Sequence, residues 1–316
     1  MSSKPIKCHY RRLGNSGLYI SVPIFACMGL GDPNNLPWLL GEHIALPLPK
    51  AAYDRSLNTW DTANVYSNGE SEVLIGKALE RYSILRENVV IMTKCFWESP
   101  HWLDPSIFEQ KPHHQNQFGL WHTAILNQVY ASLRRLNTPY IDFLQIHRFD
   151  STTPLEETIS TLHELIQSGK VRHIGASSHY NLLYRGEERE MNAFANETGV
   201  GLIPWAPLCR GHLARPPEAF KIMALASGSL GLDEADLAIV KRVMEISDEK
   251  GWPMGHVALA WILRRVASSI IGFSSVQRMD EAIAAVGKML SAEEEEEEEP
   301  LEALYRPKAY LLAESL

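Results

Sequence analysis

With 316 residues, 45% of them hydrophobic, the chain is long enough for one large α/β barrel. It has no apolar run near the ~18 residues that cross a bilayer. Its net charge of −8, concentrated in the Glu293–Glu299 run, opposes nucleic acid and anionic membrane as partners.

Ahead of any long element, YRRLGNSGLYISV holds two short alternating runs about an Asn-Ser-Gly turn, which predicts a β-hairpin closing the bottom of a barrel. Short β-branched runs then alternate with amphipathic segments, the pattern of βαβ units and a parallel sheet. Strands are expected at 24–28, 58–61, 89–94, 141–147, 171–177, 201–205 and 268–273. Helices are clearest at 71–81, 122–136, 155–168, 235–250 and 278–290, where apolar residues recur every three or four positions. Pro47 and Pro49 fall within the first helical stretch and are expected to break its opening turns. The stretch 98–118 lacks periodicity and reads as a surface loop near the strand C-termini. The organisation expected is one barrel domain over 1–290 and an acidic, low-complexity tail over 291–316.

The first residues, MSSKPIKCHYRRLG, lack the apolar core of a signal peptide, so a cytoplasmic location is expected. Cys8, Cys27, Cys95 and Cys209 form no CxxC pair and have no His at ligand spacing, and the adjacent His113 and His114 make no site alone. No metal is expected.

Chemistry is carried by polar residues at strand ends. Asp61 closes the second strand, Lys94 the third and His147 the fourth, with Tyr66 in the loop after Asp61. In a barrel these ends share the face where active sites lie, and four titratable groups there form an acid–base constellation. Singly, Asp61 could cap a helix, Lys94 could snorkel and His147 could be a core histidine.

These motifs resemble those of the aldo-keto reductases: WDTANVYSNGESE, IMTKC and DFLQIHR match that family's Asp-Tyr-Lys-His tetrad in order and context. With GASS at 175–178, IPWAPLCRG at 203–211 and GFSSVQRMDEA at 272–282, the resemblance covers almost the whole chain. It is nearest to the fungal aryl-alcohol-dehydrogenase-like and secondary-metabolism reductases, with potassium-channel β subunits more distant. The resemblance implies a (β/α)₈ barrel holding NADPH and reducing a small-molecule aldehyde or ketone, aromatic or polyketide-like. Tyr66 would donate the proton; Lys94 beside it would lower its pKa, with Asp61 holding Lys94 and His147 orienting the carbonyl. For the cofactor it implies Cys27 and Met28 beneath the nicotinamide, Asp61 among the cofactor contacts, Ser177 and Ser178 on the carboxamide, and Trp205 stacked on the ring. Leu208, Arg210 and Gly211 would line the pyrophosphate, Ser274 and Arg278 the 2′-phosphate, and Glu281 the adenine; Arg is well suited to phosphate.

One departure stands out. Only His179 and Tyr180 join GASS to NLLYR, where similar reductases place a helix, a strand and a turn, and the strand count stays at seven. One strand–helix unit between Ser178 and Asn181 is therefore expected to be missing, leaving an exposed edge beside the nicotinamide pocket. Two other readings stay open: a degenerate or regulatory cofactor-binding protein without turnover, and a Schiff-base enzyme using Lys94 as nucleophile.

Overall fold

The computed structural model describes residues 7–97, 116–220, 232–291 and 294. They divide into two compact units, the first made of the described residues within 1–23, 178–271 and 277–316, the second of those within 24–177 and 272–276. Most of the expected loop over 98–118 and most of the acidic tail lie outside the described residues.

The second unit is a parallel sheet with covering helices. Its strands are β3 (Ile24–Ala26), β4 (Thr59–Asp61), β5 (Val90–Cys95), β6 (Ile141–Ile146) and β7 (Val171–Ala176). Each pairs in parallel with the next in sequence, the order set by successive βαβ crossovers. The intervening helices are α1 (Glu42–Ala45), α2 (Pro47–Asp54), α3 (Glu70–Arg81), α4 (His122–Arg135) and α5 (Leu155–Gln167). The break expected at the prolines is seen: α1 ends at Ala45, and after Leu46 Pro47 opens α2 as a separate helix, with Pro49 in the same first turn, where the missing N–H groups have no helical partner to lose. Burial fades along the sheet: β4 is wholly buried and β6 nearly so, whereas β7 exposes Arg172 and Ala176.

The first unit holds the predicted hairpin, β1 (His9–Arg12) antiparallel to β2 (Tyr19–Val22). Its turn needs Gly14, whose φ of +54° is left-handed and whose added Cβ would lie 2.2 Å from the Gly199 carbonyl oxygen. Three further helices follow: α6 (Met191–Thr198), α7 (Glu234–Lys250) and α8 (Met254–Leu263). An eighth strand, β8, spans Ile270–Gly272, and α9 spans Val276–Ala284. The strand expected at 201–205 is reduced to Trp205, which bridges His179 on one side and Ile270 on the other. Pro204 cannot donate to a ladder, which keeps this segment from extending. Helix α8 is buried all round and so has no amphipathic period to read. Among the described residues no helix is long and apolar enough to cross a membrane.

Candidate active site

Parallel register brings three strand ends of the second unit together: Asp61 lies opposite Met92, and Lys94 opposite Gln145. Side chains alternate along a strand, so Gln145 and the residue two further on, His147, face the same side. The Lys94 ammonium donates to Asp61 Oδ1 at 2.6 Å, to the Thr62 carbonyl at 2.8 Å and to Tyr66 Oη at 3.2 Å. Gln145 Nε2 donates to the other oxygen of Asp61 at 2.9 Å. The Tyr66 and His147 rings meet edge to face with centroids 5.9 Å apart, and His147 Nδ1 is buried without a hydrogen-bond partner. All four predicted tetrad residues therefore converge.

The backbone after Tyr66 shows what holds it there. Ser67 and Asn68 adopt φ of +50° and +55°, and Gly69 +91°, before α3 begins. Non-glycine residues in this region cost about 1–3 kcal/mol each and persist where the surroundings fix them. Here the Ser67 hydroxyl accepts from the Asp32 amide and from Asn35. Below the tetrad, Ser71 donates to the Cys27 carbonyl at 2.8 Å and hydrogen-bonds Thr62 at 2.8 Å. Glu72, fully buried on α3, accepts from Thr93 at 2.6 Å and pairs with Arg135 at 2.7 Å.

Burial governs the protonation states. It pushes the Tyr66 phenol above its ordinary range, and the pull of Lys94 in the opposite direction does not overcome it. The expectation that Lys94 lowers this pKa is thus met in the sign of its influence but not in the net result, and Tyr66 is held as a proton-bearing phenol. Burial opposes the Lys94 charge, but Asp61 and Tyr66 outweigh it and keep the ammonium above its usual range. A lysine held charged in this way is poorly suited to act as an amine nucleophile. His147 is driven well below its usual range by burial and by the Lys94 and Arg148 charges, so its ring is neutral at pH 7.

The sequence reading missed Gln145 and Glu72. The period of two leading back from His147 was the available signal for Gln145, whereas Glu72 on an amphipathic helix gives no sequence mark of burial. No group of three or more His, Cys, Asp or Glu fit to hold a metal occurs among the described residues.

The residues assigned to a cofactor lie in both units. In the second, Cys27 is buried and its amide donates to the Asp61 carbonyl at 2.7 Å, Met28 is exposed, and the Ser177 amide donates to Ile146 at 3.1 Å. Ser274 lies exposed just ahead of α9. In the first, the Ser178 carbonyl accepts from the Trp205 amide at 3.0 Å, and the Leu208 carbonyl from the Gly211 amide at 2.8 Å. Ala206, Cys209 and Arg210 have positive φ, so backbone strain gathers around the segment assigned to pyrophosphate. Arg278 and Glu281 are exposed on α9, with Glu281 accepting from Gln277 at 2.9 Å. Trp205 already has a stacking partner: the His179 ring lies 4.0 Å from it at 5°, and Tyr184 stacks on the other side of His179 at 4.6 Å.

The aldo/keto reductase family model matches residues 27–180 and 177–299, two pieces that meet at the Ser178–Asn181 step. An aldo-keto reductase of Fusarium vanettenii is 49% identical over 342 aligned residues, covering 95% of this chain and 91% of its own. The versiconal hemiacetal acetate reductase of Aspergillus parasiticus is 40% identical over 343, covering 95% and 98%. Among solved structures, an aldo-keto reductase from Bacillus halodurans in its holo form superposes with a TM-score of 0.73 at 25% identity, covering 96% of this chain and 99% of that one. Matching a family model along most of its length and sharing its α/β-barrel fold, the chain is an oxidoreductase of the aldo/keto reductase family.

Proposed function

We propose that the chain is an NADPH-dependent reductase of aldehydes or ketones, with an aromatic or polyketide-like carbonyl compound as substrate. The observation that carries this is the buried hydrogen-bonded chain Asp61–Lys94–Tyr66, with His147 edge-on to Tyr66. Bound NADPH would supply the hydride. Neutral His147 donates a hydrogen bond that orients the carbonyl and steadies the oxygen as negative charge grows on it. Tyr66 then gives up its phenolic proton to that oxygen, and the Lys94 ammonium, 3.2 Å away, stabilises the phenolate left behind. Asp61, held by Lys94 and Gln145, keeps the ammonium in place.

The cofactor fits these residues unevenly. Exposed Ser274, Arg278 and the start of α9 suit a phosphate, since Arg and helix N-termini both favour one. We assign Ser274, Arg278 and Glu281 to the adenosine end, Leu208, Arg210 and Gly211 to the pyrophosphate, and Cys27, Met28, Ser177, Ser178 and Trp205 to the nicotinamide. One face of Trp205 is already taken by His179, so that end is the weaker part of the fit.

We also propose that one strand–helix unit is absent between Ser178 and Asn181. Support comes from the family match breaking there and from the Fusarium alignment, whose 342 positions exceed the 300 or so residues that 95% of this chain provides. A barrel of ~250 residues averages ~30 per unit, so that surplus is large enough for one. The stack on Trp205 favours a second reading, a cofactor-binding regulatory protein without turnover.

Replacing Tyr66 by Phe separates the two. The reductase reading expects reduction to fall by roughly 10²–10⁴-fold with NADPH affinity retained. Turnover unchanged in Y66F would refute it.

A further inference from the structure

The second unit contains a buried amide that the tetrad chemistry does not use. Gln128, on the inner face of α4 and 6% exposed, makes hydrogen bonds through both side-chain ends. Its Oε1 accepts from the Phe96 amide at 2.7 Å and from Asn64 Nδ2 at 3.1 Å. Its Nε2 donates to the carbonyls of Gln117 and Gly119, both at 3.3 Å. Asn64 Nδ2 also donates to the Trp97 carbonyl at 2.6 Å, and the Gly119 amide donates to Phe96 at 2.6 Å. The Phe96–Trp97 dipeptide and the Gln117–Gly119 return are thus fastened to one side chain and, through Asn64, to the turn carrying Tyr66.

What this fastening holds is an aromatic wall. The Trp97 ring packs on the cluster of Ala63, Val65 and Tyr66, and Phe96 meets Trp97 edge to face at 4.7 Å. An apolar leucine would fill much the same volume on α4 but would strand the Phe96 amide and two carbonyls, so filling space does not account for the glutamine.

We propose that Gln128 is a positioning residue for substrate specificity: by fixing Phe96–Trp97 beside Tyr66, it sets how tightly an aromatic carbonyl compound is held, without touching the reacting atoms. This rests on the reductase reading above. A wall that packs on a flat ring contributes to binding, whereas proton transfer depends on Tyr66, Lys94 and Asp61, which Gln128 does not contact. Its loss should therefore appear in KM and not in kcat.

The test compares wild type and Gln128→Leu with benzaldehyde and with propanal. KM for benzaldehyde should rise about tenfold, the scale of a lost aromatic contact, with that for propanal rising less. For both substrates kcat, and the Kd for NADPH, should stay within about twofold of wild type. Gln128→Glu supplies a control that loose packing cannot mimic: a protonated glutamic acid has one O–H donor and an acceptor, so its benzaldehyde KM should move toward wild type as pH falls. Equal changes for both aldehydes, or a fall in kcat matching that in kcat/KM, would overturn the proposal. Should Q128L fail to fold, Asn64→Ser, which removes only the Asn64 bonds, should give the same selectivity in smaller measure. Should the wild type oxidise no NADPH, the reductase reading fails alone, and calorimetric Kd values for benzaldehyde decide the proposal: weaker binding to Q128L sustains it, and equal or absent binding overturns it.

Discussion

Two regions that the family resemblance treats as parts of one active centre are built to different standards. Around Asp61, Tyr66 and Lys94 the ammonium and both carboxylate oxygens are satisfied, the strands are in register, and burial is close to complete. From Ser178 to Trp205 β-pairing among the described residues is reduced to isolated bridges, Trp205 stacks on His179, and no strand follows β7 until β8. Hydrogen bonding around the tetrad is thus independent of the isolated bridges from Ser178 to Trp205. The tetrad depends on β4 to β6 and the turns after them, whereas Ser178, Trp205 and the segment assigned to pyrophosphate depend on a region where β-pairing is sparse.

Breaking the first region should have the largest effect. Lys94→Met leaves Asp61 a buried charge without its partner, and about 3–5 kcal/mol of stability should be lost, readable in urea unfolding. Reduction should fall by at least the roughly 10²–10⁴-fold of a lost acid–base partner. Glu72→Ala removes the acceptor for Thr93 and the partner of Arg135; because Arg135 is 21% exposed, the loss should be smaller, about 3 kcal/mol, with NADPH affinity preserved.

Changes in the second region should be milder and opposite in sign. His179→Ala clears one face of Trp205, and NADPH should bind about three- to tenfold more tightly, the scale of one aromatic stacking contact. Fluorescence titration checks this, and weaker binding would mean that His179 supports the Trp205 ring and does not compete for it. The smallest expected effect is that of pH. Tyr66 loses its proton only above its ordinary 10.0, and His147 gains one only well below 6.5, so kcat/KM for reduction should be flat between these values and decline above them. A decline centred between pH 6.5 and 10 would show that the phenol is not held protonated by burial.

Much of this was legible in the sequence, for identifiable reasons. Asp61, Lys94 and His147 stand out because strand interiors are apolar and polar residues at strand ends are few; their convergence follows from the parallel register. The 201–205 segment has the apolar run of a strand, but Pro204 denies it a ladder. Helix α9 starts two residues before the expected 278 and ends at Ala284, short of the expected 290. Helix α8 and the buried Glu72–Arg135 pair were invisible because uniform burial leaves no period and long-range pairing leaves no local pattern. Nor does a glutamine in the middle of α4 announce that it joins Phe96, Asn64 and Gly119.

With its tetrad assembled beside the strand–helix unit proposed to be absent, the chain should still turn over. The measurement that tests it most directly mixes the purified 316-residue chain with NADPH and an aromatic aldehyde, following tryptophan quenching for binding and loss of reduced-nicotinamide absorbance for turnover. Binding accompanied by oxidation of NADPH and matching formation of alcohol is the predicted result. A folded chain that binds NADPH and oxidises none of it across a panel of aldehydes would contradict the account and leave the regulatory reading in its place.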